Sequence, residues 1–327
     1  MSLSYVDVRN QSRQVWGQFG EKVWLPNARA NSKLEYKDCR ELAGSKLGKV
    51  SVLAAMGASV EDNIEVLKAN RDKYEITTCD KGFGALLDKG IKADYVVLCD
   101  ATIPFKWFEK YQEESKGVAL LATAYANTEW THSWKGDKYF YINKDAIETE
   151  KNFTPIFGDK MRIMAAGSNV SNAMLIFWTG CDEKSAANWS NYEKFLLVGY
   201  DYSWRPKGNY YAFNDPQPKK FYMHHRTMLD INGDRCFTSE NLLFSAKWLM
   251  QYVDSFNLPA INCSGRGLLD IKYKRDLKAE LEQINTNPEA INACREWFGK
   301  VKNSTMELMK AREGFQKSRE ALIYGTR

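Results

Sequence analysis

Short apolar runs alternate with amphipathic segments through the first part of the chain. The runs "KVSVLAA", "YEITTCD", "ADYVVLCD" and "GVALLATAY" predict four buried strands, because they are short and rich in aliphatic and β-branched residues. Between them, "VEDNIEVLKANRDK" and "GFGALLDKG" predict helices, the second ending at Gly90, and "IPFKWFEKYQEE" predicts a helix with Pro104 in its first turn. This alternation predicts an α/β fold with a Rossmann-like, doubly wound and mainly parallel sheet.

The pattern changes after the fourth strand. Residues 127–160 are rich in aromatic residues and turn formers and predict an irregular insertion with the character of a lid. Beyond it, "AAGSNVSNAMLIFWTG" predicts a Gly-Ser loop and an apolar helix, and "KFLLVGYDYSW" predicts another strand. "ENLLFSAKWLMQYVDSF" predicts a helix, and "PAINCSGRGLL" a final short strand and turn.

These elements divide the sequence into three predicted regions. Residues 1–45 are polar, carry several aromatic residues and predict a helical N-terminal arm. Residues 46–270 hold the predicted sheet and form one domain. Residues 271–327 are charged and helical in pattern, and predict a C-terminal helical extension without catalytic residues.

Composition narrows the class of protein. The chain has 327 residues, of which 44% are hydrophobic and 27% charged, as in ordinary globular proteins. The net charge of +5 comes without a dense Lys/Arg block, so nucleic-acid binding is not indicated. None of the seven cysteines forms a CxxC pair, which argues against structural zinc and favours a reducing compartment. With no apolar run near about 18 residues and no apolar signal-peptide core, we expect a cytoplasmic protein without a transmembrane segment.

Polar residues follow the apolar strands at the places where a parallel sheet binds ligands. The first strand is followed by Gly57-Ala58-Ser59. Other strand ends carry Asp80, Asp100 and Asp201-Tyr202, and Gly167-Ser168-Asn169 opens the apolar helix. Helix N-termini and glycine turns suit phosphate groups, so the set predicts a site for an anionic ligand.

Each of these residues also has an ordinary structural interpretation. Ser59 could cap its helix, with Asp62 three residues later in the style of a capping box. Asp80 and Asp100 could cap the helices that follow them, and Asp201 could be a turn residue. A site is favoured because several such residues converge on one edge. The sequence has no GxGxxG fingerprint and no P-loop, so an ordinary nicotinamide dehydrogenase or kinase lacks its signature.

The adjacent histidines, His224 and His225, follow an aromatic-rich stretch in a predicted loop. Either one could act as a general acid or base. Neighbouring side chains point in different directions, so the two are not expected to bind one metal ion.

Several motifs resemble a known family. "MGASVEDNIEVLKANRDKYEITTCDKGFGALLDKGIKADYVVLCD" resembles the opening of the 6-hydroxymethylpterin diphosphokinase MptE-like family, which includes the motility accessory factors. Ala58 stands where that family has the Pro of a Gly-Pro-Ser turn, and Asp100 matches its strand-end Asp. "GSNVSNAMLIFWTG", "FLLVGYDYSW" and "INCSGRGLL" are similar to later motifs, so the resemblance covers roughly residues 45–270.

The Gly-x-Ser turn and the "GYDYSW" strand also resemble the bacterial CMP-sialic acid sialyltransferases. This resemblance implies that Ser59, Ser168, Asn169 and Asp201 contact a nucleotide, with Gly57, Ala58, Asp80, Gly167 and Tyr202 beside them. It implies that His224 or His225 is a general base, and Asp100 is a further candidate for the chemistry.

Three functions remain open at this point. The first, which is favoured because the chain carries a long insertion and a C-terminal helical part that a minimal pterin kinase would not require, is a glycosyltransferase that moves a sugar from a nucleotide-activated donor to a glycan or protein. The second is pyrophosphate transfer from ATP to a pterin alcohol, for which Asp80, Asp100 and Asp201 could hold Mg²⁺. The third is a nucleotide-binding protein without catalysis. The aromatic content of 13% suits a stacking wall in all three, so it does not separate them.

Overall fold

The structure is a computed structural model that describes residues 16–143, 147–158, 160–164, 169–180, 189–206, 208, 210–213 and 225–284. The chain divides into two units, Met1–Ile284 and Asn285–Arg327. All of the described residues belong to the first unit, so the predicted C-terminal extension stays a prediction.

The described part of the chain is built on an eight-stranded sheet in which every neighbouring pair is parallel. Its order is β10-β7-β1-β2-β3-β4-β5-β6, and β8 and β9 form a separate antiparallel pair. The strands are β1 Val50–Ala54, β2 Glu75–Cys79, β3 Tyr95–Leu98, β4 Ala119–Thr123, β5 Lys138–Asn143, β6 Arg162–Met164, β7 Lys194–Val198, β8 Arg226–Leu229, β9 Arg235–Thr238 and β10 Ala260–Asn262. The predicted α/β fold class is confirmed.

Helices lie between the strands, as crossover connections in a parallel sheet require. The described α-helices are α1 Leu25–Asn31, α2 Ile64–Ala69, α3 Asp80–Leu87, α4 Thr128–Ser133, α5 Ile147–Phe157, α6 Val170–Thr179, α7 Glu240–Ser255 and α8 Leu277–Glu282. None of them is long and apolar enough to cross a membrane. The helix α6 packs on β1, β2 and β3 with residues 171–179 all buried, which accounts for its continuous apolar sequence.

The segment before β1 contacts the sheet domain. A π-helix, Trp16–Trp24, runs directly into α1. The ring of Trp24 stacks on Tyr125 at 4.4 Å. The buried amide of Asn31 donates hydrogen bonds of 3.0 Å to the carbonyl oxygens of Ala124 and Ala126, just after β4. Residues 16–31 are therefore helical and are fixed to the end of β4.

The segment after Pro104 differs from the single helix predicted. It forms three short 3₁₀ turns, Phe105–Trp107, Glu109–Tyr111 and Glu113–Ser115. In a 3₁₀ helix, side chains three residues apart lie on one face, and the aromatic residues here follow that spacing. Phe108, the middle one, is fully buried and stacks on Trp130 at 4.8 Å.

Residues 127–160 also differ from the irregular insertion predicted. They contain α4, β5 and α5, and β5 extends the sheet by pairing with β4 and β6. Their aromatic residues fill the core, because Trp130, Trp134, Phe140 and Tyr141 are all buried. The many aromatic residues of this segment therefore pack in the core, whereas the sequence pattern predicted a lid.

The last described helix, α8, is fixed to the sheet by one buried carboxylate. Glu280 is 2% exposed, and its oxygens accept hydrogen bonds from Lys194 at 2.6 Å and Arg275 at 3.0 Å. Burial acts to raise the pKa of Glu280, but these hydrogen bonds outweigh it and the pKa is lowered. The ionised carboxylate therefore stabilises the folded chain.

Replacing Glu280 with Gln is expected to lower the free energy of unfolding by about 2 kcal/mol at pH 7, the scale of a hydrogen bond to a charged group. The effect should shrink as the pH falls below the ordinary Glu range, because a lowered pKa stabilises only while the carboxylate is ionised. Glu282→Gln is the control, since Glu282 is exposed and lies 3.8 Å from Lys278. Urea unfolding at pH 7 and pH 3 measures both, and equal losses in the two variants would contradict the prediction.

Candidate functional site

The strand order changes direction at β1. The strand β2 lies on one side of β1, and β7, which comes much later in the sequence, lies on the other. Ligands of open parallel sheets bind at such a point, outside the carboxyl ends of the strands. A cavity of about 1090 Å³ opens at this edge, and we call it the edge cavity. Its lining includes Gly57, Asp80, Lys81, Asp100, Trp107, Asn169, Val170, Ser171, Asp201, Tyr202, Tyr210 and Tyr211.

The edge cavity brings together six of the residues predicted from the sequence. These are Gly57, Asp80, Asp100, Asn169, Asp201 and Tyr202. Ala58 lines a different cavity of about 250 Å³, and Ser59 is fully buried outside the lining. Gly167, Ser168 and His224 lie outside the described residues.

Gly57 is required by the packing of β1 against β7. Its N–H donates a 2.9 Å hydrogen bond to the carbonyl oxygen of Gly199. A Cβ atom at residue 57 would lie 2.4 Å from that oxygen and 2.7 Å from the Asp201 carboxyl carbon. From the sequence we expected Gly57 to let the backbone come close to a ligand. In the structure, it lets the backbone come close to the loop after β7.

Asp201 binds the turn after β1. Its carboxylate is 3% exposed and accepts hydrogen bonds from the backbone N–H of Ser59, at 2.9 Å, and from the Ser59 hydroxyl. Burial raises the pKa of Asp201 to about 6, although the Ser59 hydrogen bonds and the Arg266 guanidinium, 3.9 Å away, act to lower it. Asp201 therefore holds the carboxyl ends of β1 and β7 together and also lines the edge cavity.

This arrangement changes the role expected of Ser59. The capping interpretation paired it with Asp62, but the residue that precedes the 3₁₀ turn Ala58–Asn63 is Gly57. The side chain of Asp62 pairs with Arg266 at 3.2 Å. The Ser59 hydroxyl is used by Asp201, so a direct contact with a nucleotide in the edge cavity is not supported by its position.

Two further carboxylates face the edge cavity, Asp80 and Asp100. Asp80 begins α3, is 9% exposed, and accepts a 2.6 Å hydrogen bond from the N–H of Lys81. Burial, with the charge of Asp100 as a smaller cause, raises the pKa of Asp80 to about 6. Asp100 is exposed and accepts hydrogen bonds from the N–H and hydroxyl of Thr102 at 2.7 and 2.9 Å. Like Asp201, Asp80 can therefore gain or lose a proton near neutral pH.

The N-terminus of α6 also opens into the edge cavity, through Asn169, Val170 and Ser171. The side-chain oxygen of Asn169 caps the helix by accepting hydrogen bonds from the N–H groups of Ser171 and Asn172, at 2.7 and 3.2 Å. The opposite end of the Asn169 amide is a donor, which joins the positive end of the helix dipole in favouring an anion.

Two tyrosines after β7 hold α6 in place. The hydroxyl of Tyr200 donates to the carbonyl oxygen of Ser171 at 2.7 Å, and that of Tyr202 donates to the side-chain oxygen of Asn172 at 2.5 Å. Tyr202 has a φ of 51°, an uncommon conformation for a non-glycine residue. Such backbone conformations cluster at functional sites, where the surrounding structure holds them.

The outer wall of the edge cavity is aromatic, with Trp107, Tyr210 and Tyr211 in its lining. The Lys81 ammonium lies 4.3 Å from the centre of the Trp107 ring and 4.1 Å from that of Tyr211. Neither Trp107 nor Lys81 is a strand-end residue, so the sequence analysis missed both. The one signal was the pair Tyr210-Tyr211 in a predicted loop, since a tyrosine combines a large apolar ring, which can stack on another ring, with a polar hydroxyl.

His225 does not line the edge cavity. It is exposed, and its ring lies 4.1 Å from Phe237 and 6.2 Å from Trp204, beside the β8–β9 pair. Its expected role as a general base is therefore not supported by its position.

The three aspartates proposed for Mg²⁺ do not form a common ligand set. Within the described ranges, no three His, Cys, Asp or Glu side chains are grouped so that they could hold a metal ion. Asp201 also lines the cavity, but its carboxylate accepts hydrogen bonds from Ser59, so Asp80 and Asp100 are the better candidates for holding a metal ion. A pair of carboxylates can still hold Mg²⁺ when substrate phosphates and water complete the coordination.

Comparison with known proteins gives the family. The profile of the family described as "6-hydroxymethylpterin diphosphokinase MptE-like" matches residues 23–207, more than half of the chain. The chain therefore belongs to this family, as its motifs indicated. A comparison with curated proteins gives no significant match.

A solved structure supports the same fold. The chain is similar to the Maf glycosyltransferase from Magnetospirillum magneticum AMB-1, with a TM-score of 0.59 and 19% sequence identity. The match covers 88% of this chain and 43% of that protein, so this chain spans less than half of its length. At this identity the likeness shows the fold alone, and the general class of transferase is supported by family membership.

Proposed function

We propose that this chain is a nucleotide-dependent transferase, and that it moves a sugar from a nucleotide-activated donor bound in the edge cavity. The observation that carries the proposal is the edge cavity itself, at the switch point of a parallel sheet and beside the N-terminus of α6. Its volume of about 1090 Å³ reaches the upper end of the range for ligand sites, which suits a nucleotide and a sugar together.

The donor phosphates are best placed at the N-terminus of α6. The Val170 N–H and the Asn169 amide nitrogen would donate to phosphate oxygens there, within the positive field of a ten-residue helix. The base would stack on the wall formed by Trp107, Tyr210 and Tyr211, because nucleobases and aromatic rings stack favourably.

Asp80 is the general base of this proposal. Its raised pKa of about 6 lets it accept a proton near neutral pH, and it faces the edge cavity. The acceptor hydroxyl would give its proton to Asp80 while its oxygen forms the new bond to the sugar. The bond between the sugar and the nucleotide phosphate breaks, and the nucleotide leaves with that electron pair.

A second function is favoured by one observation. Asp80 and Asp100 both face the cavity and lie close enough for their charges to interact, which suits Mg²⁺ bound to ATP phosphates. Mg²⁺ would neutralise the phosphate charge during pyrophosphate transfer to a pterin alcohol, the activity in the family's name. The two carboxylates fit this role, and Asp201 does not contribute to it.

A thermal-shift panel of CMP, UDP, GDP, AMP and ATP, with and without Mg²⁺, tests the proposal. A nucleotide that binds only the folded chain at about 100 times its Kd adds about 2.7 kcal/mol, which corresponds to roughly 4 °C in Tm for a chain of this length. We expect such a shift with CMP, UDP or GDP in the absence of Mg²⁺. A shift with ATP alone, and only with Mg²⁺, would favour pyrophosphate transfer, and no shift with any nucleotide would contradict both functions.

A further inference from the structure

A second cavity, of about 440 Å³, adjoins the edge cavity. It runs along one face of α3, and the 3₁₀ turns after Pro104 form its opposite wall. Lys81, Lys89, Lys106 and Lys110 line it, and we call it the lysine groove. Met56, Lys81, Lys106 and Trp107 line both spaces, so the groove and the edge cavity are continuous.

The lysine groove carries an excess of positive charge. Asp88 is the acidic residue in its lining, and its carboxylate already accepts from the Tyr111 hydroxyl at 2.7 Å and lies 3.4 Å from Lys110. In the part of the chain that the structure describes, no carboxylate lies within 4.0 Å of the ammonium groups of Lys89 or Lys106. Their charges are therefore available to an anion.

Aromatic rings orient three of these lysines. Lys81 lies over Trp107, Lys89 over Phe213 at 5.2 Å, and Lys110 over Tyr111 at 4.4 Å. A cation–π contact positions an ammonium group without neutralising it. Gly84 makes room for the Tyr111 ring, since a Cβ atom there would lie 2.2 Å from it. Rings therefore orient three of the four lysines, while Lys89, Lys106 and Lys110 stay exposed to an anion that arrives from solvent.

We propose that the lysine groove binds the acceptor of the transfer reaction, and that this acceptor carries a phosphate or a carboxylate group. The inference rests on the proposed function, because it places the acceptor hydroxyl at Asp80 in the adjoining cavity. The anionic group would lie between Lys89 and Lys106. A neutral acceptor would leave these charges without a partner, so the groove selects for an anion.

The test uses the full chain and three small probes: ribose 5-phosphate, glucuronate and the neutral sugar ribose. The variant is Lys89→Gln/Lys106→Gln, and the matched control is Lys116→Gln, an exposed lysine outside the groove lining. We expect isothermal titration at low salt to detect one or both anions but not ribose. The double variant should lose at least tenfold in anion affinity, and the control less than twofold.

Nucleotide binding is measured in parallel, so that the groove and the proposed function can fail separately. If the double variant loses anion affinity and the single variant Lys89→Gln, whose side chain lines the groove but not the edge cavity, keeps the nucleotide thermal shift of the parent, the groove is a separate anion site. If the variants bind the anions equally, or if ribose binds as well as its phosphate, the proposal is wrong. A loss of nucleotide binding in Lys89→Gln would also overturn it, because the groove would then belong to the donor site. Anion binding without any nucleotide binding would overturn the proposed function and leave the anion site standing.

Discussion

Replacing Gly57 with alanine is expected to destabilise the protein by about 3 kcal/mol and to weaken nucleotide binding at the same time. The added Cβ would lie 2.4 Å from the Gly199 carbonyl oxygen and 2.7 Å from the Asp201 carboxyl carbon. Neither neighbour can move easily. Gly199 has a φ of 73° and a hydrogen bond to Gly57, and Asp201 is held by Ser59. Overpacking of this kind usually lowers the free energy of unfolding by about 1–3 kcal/mol. We expect the upper end of this range here, because one of the atoms that the Cβ would meet belongs to the backbone.

Gly17→Ala is the matched control for this prediction. A Cβ atom at Gly17 meets no atom within 4 Å. Its substitution should leave stability unchanged or raise it by up to about 1 kcal/mol, because alanine restricts the unfolded chain. Urea unfolding measures both variants. A Gly57→Ala protein within about 0.5 kcal/mol of the parent would show that the β1–β7 junction is not tightly packed.

Replacing Asp80 with asparagine is expected to lower the rate of transfer by a factor of about 10²–10⁴, the usual contribution of a general base. The rate can be measured without the natural acceptor, as release of free nucleotide when water replaces the acceptor hydroxyl. Nucleotide affinity should change by less than about threefold, because the loss is confined to the proton-transfer step.

The pH dependence separates a base from a merely structural residue. The parent rate should rise with pH through about 6, following the pKa of Asp80, and the Asp80→Asn rate should lack that rise. Asp100→Asn should move the rise to lower pH, because it removes a like charge beside Asp80. A parent profile that is flat between pH 5 and 8 would contradict the role of Asp80.

Stability provides an independent check on the Asp80 variant. Burial raises the pKa of Asp80 in the folded state, so the folded chain favours the protonated carboxyl group. The contribution of this group to the free energy of unfolding is therefore full below the ordinary Asp range and is lost as the pH rises through about 6. Asparagine never ionises. Asp80→Asn should therefore be at least as stable as the parent at pH 7 and equal to it near pH 3, so that lost activity cannot be attributed to unfolding.

The sheet could be predicted from local pattern because its strands are buried on both faces. Runs such as "KVSVLAA" and "ADYVVLCD" are short and almost wholly apolar, and they became β1 and β3. The strand β5 was missed because its aromatic residues resemble those of a surface loop in composition. Their burial depends on residues distant in sequence, such as Tyr36 beside Phe140 and Phe177 beside Tyr141, which no local window contains.

Only those site residues that directly follow a strand could be predicted from the sequence. Asp80, Asp100 and Asp201 follow buried strands, so parallel pairing places them at one edge. The partner of each could not be predicted. Ser59 and Asp201 are 142 residues apart in sequence, and their hydrogen bonds exist because β7 crosses back to pair with β1. The lysine groove has the same origin, since α3 and the turns after Pro104 meet only in the folded chain.

The most direct test of the central claim is the structure of the protein in complex with the nucleotide that gives the largest thermal shift. The account predicts the phosphates at the N-terminus of α6, within hydrogen-bond distance of Asn169 or Val170, and the base against the wall of Trp107 and Tyr211. A nucleotide bound in the cavity of about 250 Å³ that Ala58 and Arg266 line, or anywhere else with the edge cavity empty, would contradict this prediction.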